Sequence, residues 1–359
     1  ALARPADRRR RAAPRHRQQE AGWAVSGAPP TVRSVLPVGS GAFVVHAELA
    51  NTVPDYDVVG CDPYLASLPG LPNRTLRRWL SDAHIAHLTP NTGHIPLTRG
   101  IPRVLTFHSF DIDPDDMEQA SLAQRFYYRH VLRRATIASC RSATRLVAVS
   151  RYVAGCIARN RLPGSGQVEV IYNGIDTARF RPAPRLDGEP ALRVLFVGNP
   201  TRRKGFHALA QLARELPPGI EIAFTGGLRN RAASGSHSGL VPLGSIPYAE
   251  MHTAYQDADI LLFPAYREGC PLCVLEAMAC GLPVVSTDCS AIPELVSEGR
   301  GGFLVPPGDV AAMLAAITRL AGDRPLREAL GAWNREVAVR RFGRDRMAAE
   351  YQAIFAGCA

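Results

Sequence analysis

The run Ala258-Asp-Ile-Leu-Leu-Phe-Pro264, with the turn and helix after it, constrains this chain more than any other segment. The apolar stretch is too short for an independent helix and is stopped by proline, so it reads as a buried strand. After it, Arg267-Glu268-Gly-Cys-Pro-Leu-Cys-Val-Leu-Glu276-Ala-Met-Ala-Cys-Gly281 passes through a Gly-Cys-Pro-Leu turn into an apolar helix beginning near Pro271. Strand, turn and helix in that order are the unit from which parallel α/β sheets are built.

The same alternation recurs along the chain. Thr31–Pro37, Ile101–Phe107, Ala143–Ser150, Val168–Tyr172, Leu192–Val197, Ile220–Thr225 and 239–244 read as short strands, several ending in glycine. Nothing repeats at a fixed period. At 359 residues and 46% apolar, the chain is long enough for two domains of ordinary size. The fold class is therefore α/β, as two Rossmann-like domains facing across a cleft.

The chemistry concentrates around two turns. Glu268 precedes the Pro271 helix and Glu276 lies within it, eight residues on and so on roughly the same side. The free N–H groups of Gly269, Cys270, Leu272 and Cys273, together with the helix dipole, suit a diphosphate. Upstream, Leu192-Arg-Val-Leu-Phe-Val-Gly198-Asn-Pro-Thr-Arg-Arg203-Lys204-Gly205 is a strand, a glycine turn and a basic pair. An Arg fork beside a Lys point charge can hold the two phosphates of a leaving nucleoside diphosphate.

These segments resemble retaining glycosyltransferase family 4, whose members have the GT-B fold. The Glu268-x7-Glu276 spacing, Pro283-Val-Val285, Pro293-Glu294 and Arg203-Lys204-Gly205 carry the likeness. The resemblance implies that Glu268 contacts the donor sugar and Glu276 the ribose hydroxyls. It further implies that Arg203 and Lys204, in the turn begun by Gly198, act on the phosphates, and that the strand edges of 220–227 and 239–244, Leu243 among them, hold the base through the backbone. Ser290-Ala-Ile stands where the family often has two glycines, so the path of that loop stays open. In the first half, Val38-Gly-Ser-Gly41 resembles the glycine loop that lets the donor approach the backbone. His108, at the end of the Ile101–Phe107 strand, resembles a histidine placed near the transferred sugar. The likeness spans roughly Thr31 to Phe355, and it sets the expected organisation. A basic, disordered extension covers 1–30, an acceptor-side domain 31–181, and a Pro- and Arg-rich linker 182–191. A nucleotide-sugar domain covers 192–341, and a closing helix within 342–359 returns to the first domain.

Other motifs carry less. Asp111-x-Asp113 has the form of a metal-binding pair, but Asp55-x-Asp57 and Asp257-x-Asp259 share it, so no metal site is assigned. Cys270-x-x-Cys273 has no second pair at zinc spacing, and the eight cysteines are scattered, as suits a reducing compartment. No run approaches the length of a membrane span.

The formal charge of +10 is uneven. Residues 1–20 hold seven Arg against Asp7 and Glu20, a net of +5. Between Gln119 and Val168 there are nine Arg and no Asp or Glu. Arg125-Phe-Tyr-Tyr-Arg129-His-Val-Leu-Arg133-Arg134 sets arginines beside aromatics on a helix, a pattern suited to a membrane surface or an anionic acceptor.

The expected function is retaining, metal-independent transfer of a sugar from a UDP, GDP or ADP sugar to an acceptor hydroxyl, on a glycan or a lipid-linked molecule. No cofactor and no specific nucleic acid is expected. The expected location is the cytoplasm, with peripheral contact at the inner membrane face. The alternatives are a sugar-nucleotide epimerase of the same fold, a phosphorylase needing inorganic phosphate, and a basic nucleic-acid-binding protein, which would leave Glu268 and Glu276 unexplained.

Overall fold

The computed structural model describes residues 29–61, 74–93, 100–110, 125–183, 191–226 and 239–358. The basic extension up to residue 28, the Asp111–Asp113 pair and most of the expected linker lie outside the described residues.

The first half runs β1 (Val32–Pro37), α1 (Gly41–Thr52), β2 (Tyr56–Cys61), α2 (Arg74–Ser81), β3 (Ile85–Leu88) and β4 (Arg103–Phe107). A π-helical segment, Tyr127–Leu132, then leads into α3 (Arg133–Ser142), β5 (Arg145–Ala148), α4 (Arg151–Arg159) and β6 (Val168–Val170). The second half runs β7 (Leu192–Phe196), a 3-10 turn at Arg202–Lys204, α5 (Leu209–Glu215), β8 (Ile220–Thr225), β9 (Leu240–Gly244) and α6 (Met251–Gln256). It continues through β10 (Ile260–Phe263), α7 (Leu272–Ala279), β11 (Val284–Thr287), α8 (Ile292–Leu295) and β12 (Gly302–Val305). Three helices close the chain: α9 (Val310–Gly322), α10 (Arg324–Arg341) and α11 (Arg344–Ala356).

Among the described residues, twelve strands form two six-stranded sheets, in the orders β2-β1-β3-β4-β5-β6 and β12-β11-β10-β7-β8-β9, with every described pairing parallel. In each sheet the strand order reverses at one place, between β1 and β3 in the first and between β7 and β10 in the second. Beyond the carboxyl ends of strands, such a switch point leaves the crevice in which open α/β sheets bind ligands. The turns after β1, β7 and β10 are the Val38–Gly41, Gly198–Gly205 and Pro264–Pro271 segments, so the topology brings the motif-bearing turns to the two crevices.

The inner strands are apolar because both faces of each sheet are covered there, while the outer strands β2, β6 and β9 are partly exposed. Ile260 to Phe263 are fully buried. α11 lies on the first sheet: Met347, Tyr351, Ile354 and Phe355 share a core with Val45 and Leu49 of α1 and with Val32, Ile85 and Val104 of β1, β3 and β4. The chain thus returns from the second half to the first, held by parallel bridging of Ile175 to Gly343.

α7 starts one residue later than the position of its proline suggests: Pro271 is the N-cap, with ψ 121°, and Leu272 is the first helical residue. Glu276 is therefore the fifth residue of α7 and sits just over one turn inside it. The arginine-bearing helix is not a regular α-helix, because the π turn at Tyr127–Leu132 widens it and shifts the angular spacing of Arg129 from Arg133.

Candidate active site

Glu268 sits in the turn between β10 and α7, 8% exposed. One of its oxygens takes both cations of the Gly198 turn, with Arg203 Nη1 at 2.9 Å and Lys204 Nζ at 2.8 Å. Arg203 Nη1 also donates to the Arg267 carbonyl at 3.0 Å, and Tyr266 N donates to the Arg203 carbonyl at 2.9 Å. Two turns far apart in sequence are thereby tied into one floor.

Local geometry explains the residues. Thr201 caps the 3-10 turn by accepting from Lys204 N, and Gly205 ends it with φ +73°. A Cβ at Gly205 would overlap the Pro264 carbonyl oxygen, so both conformation and space demand glycine there. The Lys204 stem runs past Gly198 and its ammonium lies 4.9 Å from the Phe263 ring centroid. Glu268 N donates to Ser290 Oγ at 3.0 Å. Ser290 adopts φ +52°, which fixes the path of the loop that lacks the two glycines.

Opposite this floor stands the first half. His108 follows β4, and a Cβ at Gly269 would overlap the His108 carbonyl oxygen, so the two halves touch at the turn between β10 and α7. Asn173 Nδ2 donates to the Cys270 carbonyl at 2.8 Å. The His108 Nδ1 atom is buried and has no hydrogen-bond partner among the described residues. Its Nε2 lies 3.0 Å from His46 Nε2. Burial pulls the His108 imidazole down to about 4, so it is neutral near pH 7.

The other expected residues are distributed as follows. Glu276 is buried and does not join the Glu268 cluster; its Oε2 accepts from Tyr255 at 2.6 Å, and burial raises its carboxyl to about 7. Tyr248 stands near it without a hydrogen bond of normal geometry. Cys270 and Cys273 are free thiols pushed up to about 12 by burial, which makes them inert packing groups. Leu272 opens α7, and Leu243 is half-buried on β9, the edge strand of its sheet. Gly198 N donates to Thr225 Oγ1 at 3.3 Å. Gly41 opens α1, and a Cβ there would meet nothing within 4 Å; the left-handed residue of that turn is Gly39, φ +74°.

Two groups escaped the sequence reading. The first is a clasp between the halves. The Glu294 carboxylate accepts from Arg151 N at 2.9 Å, Tyr152 N at 2.6 Å and the Tyr172 hydroxyl at 2.6 Å. With Ser150 Oγ accepting from Val153 N, it satisfies the open amino end of α4. The second is a buried row of histidines and hydroxyls behind His108. Single polar residues among apolar neighbours, His46 in α1, His87 in β3 and Thr106 in β4, are its trace in the linear pattern.

The family model described as "Glycosyl transferases group 1" matches residues 191–323, and that described as "Glycosyltransferase Family 4" matches 34–179. A putative colanic acid biosynthesis glycosyltransferase of Escherichia coli is 28% identical over 269 residues, 68% of this chain and 63% of that one. A phosphatidyl-myo-inositol mannosyltransferase of Mycobacterium leprae is 28% identical over 332 residues, 87% of this chain and 83% of that one. The chain spans less than two thirds of the length of the Escherichia coli relative. The crystal structure of Anabaena HepE in complex with UDP-glucose superposes with a TM-score of 0.73 at 16% identity, covering 91% of this chain and 100% of that one, a likeness of fold.

Proposed function

The chain belongs to the group 1, family 4 glycosyltransferases and has their GT-B fold, and from that premise we propose that it transfers a sugar, with retention, from a nucleoside diphosphate sugar to an acceptor hydroxyl. The observation that carries the proposal is the convergence of Arg203 and Lys204 on one Glu268 oxygen at the β7–β10 switch point.

In this reading the diphosphate lies against Arg203, Lys204 and the amides of Gly269, Cys270, Leu272 and Cys273. Charge grows on the phosphate oxygen as the sugar leaves, and fixed positive groups there lower the barrier. Glu268 holds both cations in place and orients the sugar. Glu276 takes the ribose hydroxyls, Gly198 lies along the phosphates and Leu243 along the base, and Gly41 leaves room for the donor against the first half. His108 faces the sugar from across the cleft. No side chain is placed as a covalent nucleophile, so the reaction runs on one face. The acceptor oxygen bonds to the anomeric carbon as the carbon–phosphate-oxygen bond breaks, and the acceptor proton passes to the departing phosphate. Arg203 and Lys204 neutralise the phosphates in this scheme, which makes it metal-independent.

The acceptor class we infer is a glycan or a lipid-linked molecule. Support comes from the relatives' names and from the exposed Arg125, Phe126, Arg129, Arg133 and Arg134 around the π turn, with Phe126 64% exposed. A cationic, aromatic face of this kind suits peripheral contact with an anionic membrane surface. Among the described residues no helix is long and apolar enough to cross a membrane.

The test is release of nucleoside diphosphate by wild type and by Glu268→Gln. We expect turnover to fall about 10²–10³-fold, the range for losing one transition-state contact. Near wild-type turnover in the variant would refute the assignment.

A further inference from the structure

Cys273 to Ala279 are all buried in α7, and Glu276 is the one charged residue among them. Burying a carboxylate is costly unless something hydrogen-bonds to it. Here that group is Tyr255 of α6, whose hydroxyl donates to Glu276 Oε2 at 2.6 Å. Tyr255 is fully buried, and its ring stands edge-on to Phe180 at 5.9 Å, an equally buried residue of the segment that joins the two halves. The neighbouring phenol, Tyr248, makes no such bond: its hydroxyl is buried without a partner among the described residues, and its ring lies 4.7 Å from the Arg179 guanidinium, which Glu48 takes at 2.7 Å. Among the described residues Glu276 Oε1 accepts no hydrogen bond of normal geometry. Burial raises the Glu276 carboxyl to about 7, and the Tyr255 bond works against that rise.

The last torsion of a glutamate side chain is broad, so rotamer preference does not decide which way its two oxygens face. An apolar surround would leave the carboxylate free to turn. Tyr255 removes that freedom, because the phenol is itself held by buried packing and ties Oε2 toward α6. A carboxylate tied by one oxygen offers the other in a fixed direction. An acceptor of that kind suits a sugar hydroxyl, since hydrogen bonds to an ionised group are the strong ones. Without the Tyr255 hydroxyl the carboxylate would have to be ordered by its ligand, and the buried charge would lack its donor.

We propose that Tyr255 is a positioning residue that ties Glu276 by Oε2 and presents Oε1 to the ribose hydroxyls, so that this phenol sets the preference for ribonucleotides over forms lacking those hydroxyls. The ribose as partner rests on the proposed transfer from a nucleoside diphosphate sugar; the tied carboxylate does not.

The test is calorimetric binding of UDP, GDP and ADP, and of their 2′,3′-dideoxy forms, to the whole chain as wild type, Tyr255→Phe and Glu276→Ala. For the nucleotide that wild type binds, removing the ribose hydroxyls should weaken binding about tenfold or more, the scale of hydrogen bonds to a charged group. That ratio should fall to about threefold or less in Tyr255→Phe and to about one in Glu276→Ala. In turnover, Tyr255→Phe should raise KM for the donor and leave kcat nearly unchanged, as expected for a contact equal in the ground and transition states. A ratio unchanged in folded Tyr255→Phe overturns the proposal, since Tyr255 would then only support the fold. A ratio near one already in wild type overturns it too, while the binding itself would keep the donor site. No binding of any of the three nucleotides would refute the donor site, and the inference with it. If Tyr255→Phe fails to fold, a crystal structure of wild type with the bound nucleotide decides. A ribose hydroxyl on Oε1 with Tyr255 still on Oε2 bears the proposal out, and any other arrangement overturns it.

Discussion

Replacing Glu276 by Gln should make the protein more stable above neutral pH while weakening nucleotide binding. The carboxylate is 4% exposed inside α7, and burial lifts it from the ordinary 4.5 to about 7. Between those values the folded chain binds more proton at this site than the unfolded chain, so stability falls as pH rises from about 4.5 and the loss is complete above about 7. A shift of that size is worth up to about 3 kcal/mol at 1.36 kcal/mol per pH unit. Gln carries no charge to bury and its carbonyl can still accept from the Tyr255 hydroxyl. Thermal unfolding of both proteins at about pH 5 and about pH 8 tests this. Glu276→Gln should leave the midpoint nearly unchanged at the lower pH and raise it by up to about 6–12 °C at the higher, given roughly 2–4 °C per kcal/mol for domains of this size. A difference between the two proteins that stays flat across that range would refute the burial argument.

Three further outcomes are expected from the geometry. Gly269→Ala forces a methyl onto the His108 carbonyl oxygen, and unfolding should become easier by about 1–3 kcal/mol, a typical cost of backbone overpacking, as measured by urea titration. Glu294→Ala removes the acceptor of three hydrogen bonds joining the halves; small-angle scattering should show a larger radius of gyration, and an unchanged profile would mean that other contacts hold the halves closed. Glu substitutions at Arg129 and Arg133 should abolish sedimentation with vesicles rich in phosphatidylglycerol while leaving the fold intact, since each basic residue near such a surface is worth about 1 kcal/mol.

How much the sequence disclosed depends on how far apart the interacting residues lie. β10, its turn and α7 are consecutive, so their apolar run, proline and paired acids can be read in one window. The same holds for β7 and the Arg203-Lys204-Gly205 turn, and for the amphipathic last helix that packs back on α1. The Glu268 ion pairs needed one further step, since Arg203 is 65 residues away. The row behind His108 could not be read that way: its partners stand 10 to 245 residues apart, and each residue alone looks like a stray polar group in an apolar strand or helix. Glu294 was visible as part of a motif, but its partners lie 122 to 143 residues upstream in the other half. Glu276 was placed on the correct helix, while its burial against Tyr255 depends on how α6 packs on α7, which no local pattern encodes.

Ligand-dependent thermal unfolding decides whether the Arg203, Lys204 and Glu268 cluster is the donor site. UDP, GDP, ADP and their glucose or mannose conjugates are added in turn to wild type and to Lys204→Ala. A ligand present at about 100 times its Kd stabilises the folded state by about 2.7 kcal/mol. A clear rise in melting temperature with one nucleotide class is expected in wild type, largely lost in Lys204→Ala. No rise with any of them in folded wild type, or an equal rise in the variant, would contradict it.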